Sequence, residues 1–163
     1  MTEVKRNNWS RFCKKFNVSN QYRQTTVSVR RRNKNVIKIS EHSPLMGITI
    51  AKRGRFIDGI DLFTAQHDPG RLAEPILSIK EPVRITLEKD DSGMDNRLSV
   101  ESKDGSVASI VLLGEKDGRQ YHTLVEKLAY SIGEHRGFAP GGDQEDWFEA
   151  ERKIKETELQ LIR

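Results

Sequence analysis

Residues 27–40 read Val-Ser-Val-Arg-Arg-Arg-Asn-Lys-Asn-Val-Ile-Lys-Ile-Ser, and they predict the start of a β region. Apolar and polar residues alternate on both sides of the polar run Arg31–Asn35, which is typical of two antiparallel strands joined by a turn. Short apolar segments continue as far as Leu113, and turns such as Asp104-Gly105 separate them. Because no helical pattern interrupts this region, we expect an antiparallel β meander or small barrel of six or seven strands.

Three features are expected to interrupt the strands. Ser43-Pro44 is expected to end the second strand of the hairpin, because proline lacks the N–H that a ladder needs. Asp58-Gly59 breaks the alternation of the segment around it and predicts a bulge or turn. Pro82 predicts an edge strand or a bend.

Helical spacing appears at both ends of the chain. Trp9, Phe12, Cys13 and Phe16 have the spacing of one face of an amphipathic helix, which the polar stretch Asn17–Gln24 is expected to end. Two further apolar stripes predict two C-terminal helices; they comprise Leu124, Leu128 and Ile132, and then Trp147, Ala150, Ile154 and Leu161.

These patterns together predict an α+β protein with an N-terminal helix, a β region and a C-terminal helical hairpin. The polar junction 114–118 predicts a division into a helix-plus-β domain over residues 1–113 and a helical hairpin module over residues 119–163. Trp147 is expected to be largely buried, because it begins the apolar stripe of the last helix.

Composition excludes several classes of protein. The 163 residues carry a net charge of +4 and a single cysteine, Cys13, so no internal disulfide can form. The longest apolar run, Ile110–Leu113, has four residues, which is far too short to span a membrane. No apolar segment that could act as a secretory signal follows Met1. We therefore expect a cytoplasmic protein with no membrane partner.

The C-terminal region contains Arg136-Gly137, Pro140-Gly141-Gly142 and the series Asp146-Trp147-x-x-Ala150-Glu151-x-x-Ile154. These residues resemble a short helical domain of unknown function that is found in many bacterial proteins. The similarity covers about the last quarter of the chain.

The preceding region more loosely resembles a second uncharacterised bacterial family of small β domains. The residues concerned are Pro44-Leu45-x-Gly47-Ile48, Pro82-x-x-Ile85-x-Leu87-Glu88 and Asp104-Gly105, which follow the Trp/Phe helix. Neither resemblance implies an activity, ligand or catalytic residue. Both imply a bacterial cytoplasmic origin and two modules in one chain.

The sequence contains no recognisable catalytic or cofactor motif. The four histidines have no Cys or His partner at metal-ligand spacing, and nucleotide-binding glycine loops and hydrolase elbows are absent. Cys13 could serve as a nucleophile only with a basic neighbour, and its place on an apolar helix face favours a core thiol. We therefore predict a protein without a cofactor and without catalytic activity.

One acidic group remains as an alternative metal site. Asp58, Asp61 and Asp68 could gather with His67 and bind a hard cation. Turn chemistry explains the same residues better, because Asp58-Gly59 and Asp68-Pro69-Gly70 are typical turn sequences. We accordingly predict no metal site.

The distribution of charge gives the strongest functional signal. Residues 1–35 contain ten Lys or Arg and one acidic residue. The residues that could bind phosphates lie on the first helix and at the hairpin turn, and they are Arg11, Lys14, Lys15, Arg30, Arg31, Arg32 and Lys34. A solvated surface is the simpler interpretation of such charges. We therefore expect a non-catalytic interaction or assembly module that binds a protein partner or a second copy, with nucleic-acid binding as the alternative.

Overall fold

The computed structural model describes residues 1–65, 71–114, 118–137 and 141–162, which form one antiparallel sheet with helices at both ends of the chain. The strands are β1 (Thr2–Val4), β2 (Gln24–Arg30), β3 (Val36–Arg53), β4 (Phe56–Thr64), β5 (Leu77–Lys80), β6 (Pro82–Lys89), β7 (Asp95–Ser102) and β8 (Val107–Leu113). The helices are α1 (Trp9–Asn20), α2 (Gly118–His135) and α3 (Asp143–Ile162). The α+β class and the order of the helices and strands are confirmed.

The sheet has eight strands in the order β1-β6-β7-β8-β2-β3-β4-β5, and it is not closed. The barrel alternative is therefore wrong. Seven strands lie in the region where six or seven were expected, and the eighth is β1, which pairs with β6 through Val4 and Ile85. Three residues are too few to show an alternating pattern, so no local pattern predicts β1.

The 18-residue strand β3 connects the two halves of the sheet. Its first half, up to Pro44, pairs with β2, and from Leu45 onward it pairs with β4. The expectation that Ser43-Pro44 ends the strand is wrong. At this point the partner strand of β3 changes from β2 to β4. The missing N–H of the proline therefore interrupts the pairing with either strand only briefly.

The other two interruptions fall where the sequence placed them. Asp58 is the extra residue of a bulge in β4, because Gly59 pairs with Ala51 while Ile57 pairs with Lys52. A Cβ on Gly59 would lie 2.9 Å from the carbonyl oxygen of Ile79, so the close approach of β5 requires glycine. Pro82 is the first residue of β6, a position where proline costs no ladder hydrogen bond.

The main core lies between the sheet and α1. The apolar face of α1 is confirmed, since Trp9, Cys13 and Phe16 are buried against strands from both halves of the sheet. The helix ends at Asn20, within the polar stretch Asn17–Gln24 that was expected to end it. It includes Asn17 and Asn20 because the side chains of both residues are buried and hydrogen-bonded.

A second core joins the two C-terminal helices to the sheet. Leu128 of α2 and Ile154 of α3 belong to the same buried cluster as Tyr22, Met46 and Leu72. No helix in the described ranges has the length and apolar character needed to cross a membrane.

Trp147 packs against the second core, as expected, but it is less buried than expected. The side chain is half-buried at the margin of the second core, where its ring lies 5.0 Å from that of His122. Its indole N–H donates a hydrogen bond of 3.0 Å to Glu151. The polar end of the ring explains the marginal position, because a fully buried tryptophan needs an internal acceptor. Ala150 and Ile154 provide the buried part of the stripe instead.

Candidate interaction surfaces

The seven basic residues proposed for nucleic-acid contact are all exposed, and five of them line three different clefts. Arg11 and Lys15 line a groove between α1, β1 and the β6–β7 turn. Lys14 lines a separate cleft between α1, β3 and the end of α3. Arg31 and Arg32 line a third cleft at the β2–β3 turn. Arg11, Lys14 and Lys15 are neighbours on the exposed face of α1, but their side chains border two different clefts.

Local hydrogen bonds fix the β2–β3 turn. The backbone N–H of Arg31 donates to the carbonyl of Asn35 over 2.8 Å, and the N–H of Lys34 donates to the carbonyl of Arg31 over 2.8 Å. Lys34 has a φ of 68°, in the left-handed region that tight turns require. Arg30, Arg31, Arg32 and Lys34 consequently extend from a defined turn into solvent.

Asp104, in the neighbouring β7–β8 turn, lies beside these cations. Hydrogen bonds from Ser106, and then the charge of Arg31, lower the pKa of Asp104. The side chain of Arg32 lies over Gly105, where a Cβ would come within 3.5 Å of it. The turn is therefore basic with one carboxylate at its side.

The segment 36–43 of β3 has a free edge. On one side it pairs with β2, and in the described residues no strand pairs with the other side, because β4 begins to pair only at Leu45. Val36, Ile37 and Ile39 are exposed by 64%, 40% and 36%, although residues of these types are usually buried.

The regular part of this edge is short. Val36, Ile37 and Lys38 pair in sequence with Arg30, Val29 and Ser28 of β2. Beyond them the register shifts twice, which marks bulges. Lys38 and Glu41 form an exposed ion pair of 3.2 Å. Bulges and charges of this kind limit uncontrolled pairing of a strand edge. The edge is therefore exposed, but only a short part of it has the regular geometry that an added strand needs.

A buried polar network that the sequence analysis missed holds α1 against the sheet. The Asn17 side-chain amide donates to the carbonyl of Ile48 over 2.9 Å, and its oxygen accepts from the N–H of Ile48 over 2.8 Å. The Asn20 side-chain amide donates to the Asp95 carboxylate over 2.7 Å. Asn17 and Asn20 follow Cys13 and Phe16 at helical spacing and therefore continue the same face of the helix. Polar residues at these two positions were the sequence signal that could have predicted the network.

Arg23 is a buried structural residue. Its guanidinium donates to the carbonyl of Gly114 over 2.9 Å, to the side-chain oxygen of Asn20 over 2.9 Å and to the carbonyl of Asp95 over 2.7 Å. Burial lowers the pKa of this side chain, and the nearby Asp95 carboxylate opposes that shift. One of the ten N-terminal cations is therefore used to join α1, β7 and the end of β8.

The acidic group considered for a metal is not assembled in the part of the chain that the structure describes. Asp58 is exposed in the β4 bulge, where its carbonyl oxygen accepts from the N–H of Glu81 over 3.1 Å, and Asp61 pairs along β4 with Thr49 and Ser78. His67 and Asp68 lie outside the described residues.

Cys13 is buried in the main core, and burial raises its pKa from 9.0 to about 12. Such a rise lowers the thiolate fraction near neutral pH about a thousandfold. We expect Cys13 to resist labelling by iodoacetamide at pH 8 in the native protein and to react readily in urea. Rapid labelling of the native protein would show that the thiol is accessible. The variant Ser19→Cys supplies an exposed thiol on the same helix as a control.

The same shift predicts a pH dependence of stability. The unfolded thiol ionises above about pH 9, whereas the folded thiol stays protonated up to about pH 12. The contribution of the buried thiol to stability is therefore complete below pH 9 and is lost as the pH rises through this window. The unfolding free energy of the Cys13→Ala variant should lack this pH-dependent contribution when it is measured by urea denaturation at several pH values between 8 and 11.

Comparison with known proteins identifies only the C-terminal helices. The model of a family described as "Protein of unknown function (DUF2934)" matches residues 122–156, which lie within the α2–α3 region. The resemblance of this region to a domain of unknown function is therefore confirmed. Searches of curated proteins and of solved structures find no match to the chain.

Proposed function

We propose that the protein is a non-catalytic interaction module of the bacterial cytoplasm that binds an extended segment of a partner protein along the free edge of β3. The observation that carries this proposal is the second edge of segment 36–43, which pairs with no described strand, together with the exposure of Val36, Ile37 and Ile39. A free strand edge presents backbone N–H and C=O groups that an added strand can satisfy.

The side chains at this edge suggest the chemistry of the partner segment. Apolar side chains on the partner could cover Ile37 and Ile39, since alternate residues of an added strand face the same side of the sheet. The basic turn at Arg30–Lys34 lies at the start of the edge, so acidic residues at one end of the partner segment would complement it. A second copy of this chain is a less complementary partner, because its own edge carries the same basic turn.

Selection from a library of displayed random peptides tests this function. We expect peptides that combine alternating apolar residues with acidic residues, and we expect Ile37→Lys to abolish their binding. Leu159→Lys, at an exposed leucine on α3, is the matched control and should bind normally. Selected peptides that bind Ile37→Lys and the native protein equally would contradict the proposal, as would self-association that depends on Ile37 in sedimentation experiments without peptide.

Nucleic-acid contact is the second candidate, and the exposure of all seven basic side chains favours it. Replacing Arg30, Arg31 and Arg32 by serine should then lower the log–log salt slope by roughly 0.9 per lost phosphate contact on duplex DNA and by roughly 0.7 on single strands. Three exposed cations on the C-terminal helices provide the control triple variant; they are Lys127, Arg152 and Lys155. Equal slopes for both triple variants, or no binding by the native protein at physiological salt, would remove this candidate.

We further propose that residues 1–113 and 119–163 are separate folding modules that share a contact surface. Support comes from the two distinct cores, of which the larger involves only α1 and the sheet. A chain ending at Gly114 should keep its near-UV circular dichroism but bind a hydrophobic dye, because Met46 and Leu72 lose their cover. Loss of the near-UV signal would show that the helices are required for the main core.

A further inference from the structure

The groove beside α1 has the shape and composition of a small-molecule site. Its volume is about 740 Å³, within the usual range for ligand pockets. Residues from β1, α1, β6 and the β6–β7 turn line it. This groove is separate from the free edge of β3, so an inference about it stands independently of the proposed function.

The floor of the groove is apolar and aromatic. Phe12 and Phe16 stack with ring centroids 5.8 Å apart, and Leu87 and Met94 complete the surface. Phe16 is buried, whereas the other three side chains are half-buried and therefore remain partly accessible. Apolar surface left open in a concavity gains free energy when an alkyl chain or ring covers it.

The rim of the groove is cationic. Lys5, Arg11 and Lys15 are exposed on it, and none of them takes part in an ion pair within the described residues. The two acidic side chains of the groove are already engaged. Glu3 lies 3.8 Å from Arg84, and Asp95 accepts a hydrogen bond from Asn20 and lies 3.8 Å from Lys89.

We propose that this groove binds an anionic amphiphile, a molecule with an alkyl chain and a carboxylate or phosphate head group. The chain lies on Phe12, Leu87 and Met94, and Arg11 and Lys15 hold the head group through charge-assisted hydrogen bonds. The combination of an apolar floor with uncompensated cations excludes a neutral lipid as the best ligand. A duplex backbone track needs charges in a row and no apolar floor. A single-stranded nucleic acid would also use aromatic stacking, so an oligonucleotide competitor is needed to distinguish it from the amphiphile.

Isothermal titration of the whole protein tests the proposal, with all amphiphiles kept below their micellar concentrations. Dodecanoate and dodecyl phosphate represent the two sources of the head group, and dodecanol and inorganic phosphate each lack one half of the ligand. We expect saturable binding of at least one anionic amphiphile and binding at least about tenfold weaker for dodecanol and for phosphate. The tighter binder of the two shows whether the natural ligand carries a carboxylate or a phosphate head group.

Variants then assign the binding to the groove. Arg11→Gln combined with Lys15→Gln should weaken amphiphile binding about tenfold or more, because each contact to a charged head group is lost. Lys14→Gln, at an exposed lysine on the same helix that lines a different cleft, should bind normally. Met94→Ser removes apolar surface from the floor of the groove at a half-buried turn residue. This variant should bind dodecanoate more weakly, and its far-UV circular dichroism spectrum should not change.

Four results would overturn the inference. They are the absence of binding by both anionic amphiphiles, binding unaffected by the double variant, dodecanol binding as tightly as dodecanoate, and phosphate binding as tightly as dodecyl phosphate. The last result would indicate a simple anion site. A short single-stranded oligonucleotide that outcompetes dodecanoate, and whose binding the double variant abolishes, would assign Arg11 and Lys15 to nucleic acid instead.

Discussion

Replacing Trp9 with alanine is expected to lower the free energy of unfolding by about 3–5 kcal/mol, as deletion of a large buried aromatic ring does. Only 1% of Trp9 is exposed, and it begins the apolar face of α1. Its indole N–H donates to the carbonyl of Val4 over 3.0 Å, and the Arg6 guanidinium lies 4.6 Å from the ring centroid. The variant therefore loses core packing and also the attachment of β1 to the helix.

Urea denaturation followed by circular dichroism measures this effect, with Phe56→Ala as the matched aromatic control. Phe56 is 80% exposed at the start of β4, so its removal should change the unfolding free energy by no more than about 0.5 kcal/mol. Similar decreases in the free energy of unfolding for the two variants would mean that the core does not lie between α1 and the sheet.

Asn17→Ala is expected to lower the free energy of unfolding by about 2–6 kcal/mol, because it leaves two buried backbone groups without partners. The native side chain both donates to and accepts from Ile48, so the variant leaves the carbonyl and the N–H of that residue unsatisfied. Each such group costs roughly 1–3 kcal/mol when water cannot reach it. The decrease in the free energy of unfolding should be several times larger than the decrease caused by a substitution on the exposed surface of a helix.

Asn96→Ala is the control for this prediction, since Asn96 is exposed on β7. It should be nearly neutral in the same urea titration. A loss below about 0.5 kcal/mol for Asn17→Ala would mean that water replaces the side chain at Ile48 and that the contact does not anchor α1.

The local patterns of the sequence predicted most of the secondary structure. The alternation around Arg31–Asn35 and the helical spacing from Trp9 to Phe16 depend only on neighbouring residues, and both are present in the structure. The same reasoning failed where distant contacts decide. Nothing local showed that β3 would continue past Pro44, because the continuation depends on β4 replacing β2 as its neighbour.

The candidate sites depend even more on distant contacts. The groove joins residues as far apart as Thr2 and Asp95, so only the fold brings them together. The burial of Arg23 could not be predicted, because charge gives no sign of burial and its three oxygen acceptors come from separate parts of the chain. The exposed basic turn at Arg30–Lys34 was predictable, since a turn between two strands must lie at the surface.

Amide hydrogen exchange over residues 36–43 reports directly on strand addition at the free edge of β3. A selected peptide should slow exchange of the backbone amides in this segment and leave residues 48–53 unchanged, because those already pair with β4. The same peptide should give no protection in Ile37→Lys and full protection in Leu159→Lys. Protection confined to the groove beside α1 or to the C-terminal helices, with unchanged exchange over residues 36–43, would contradict the account.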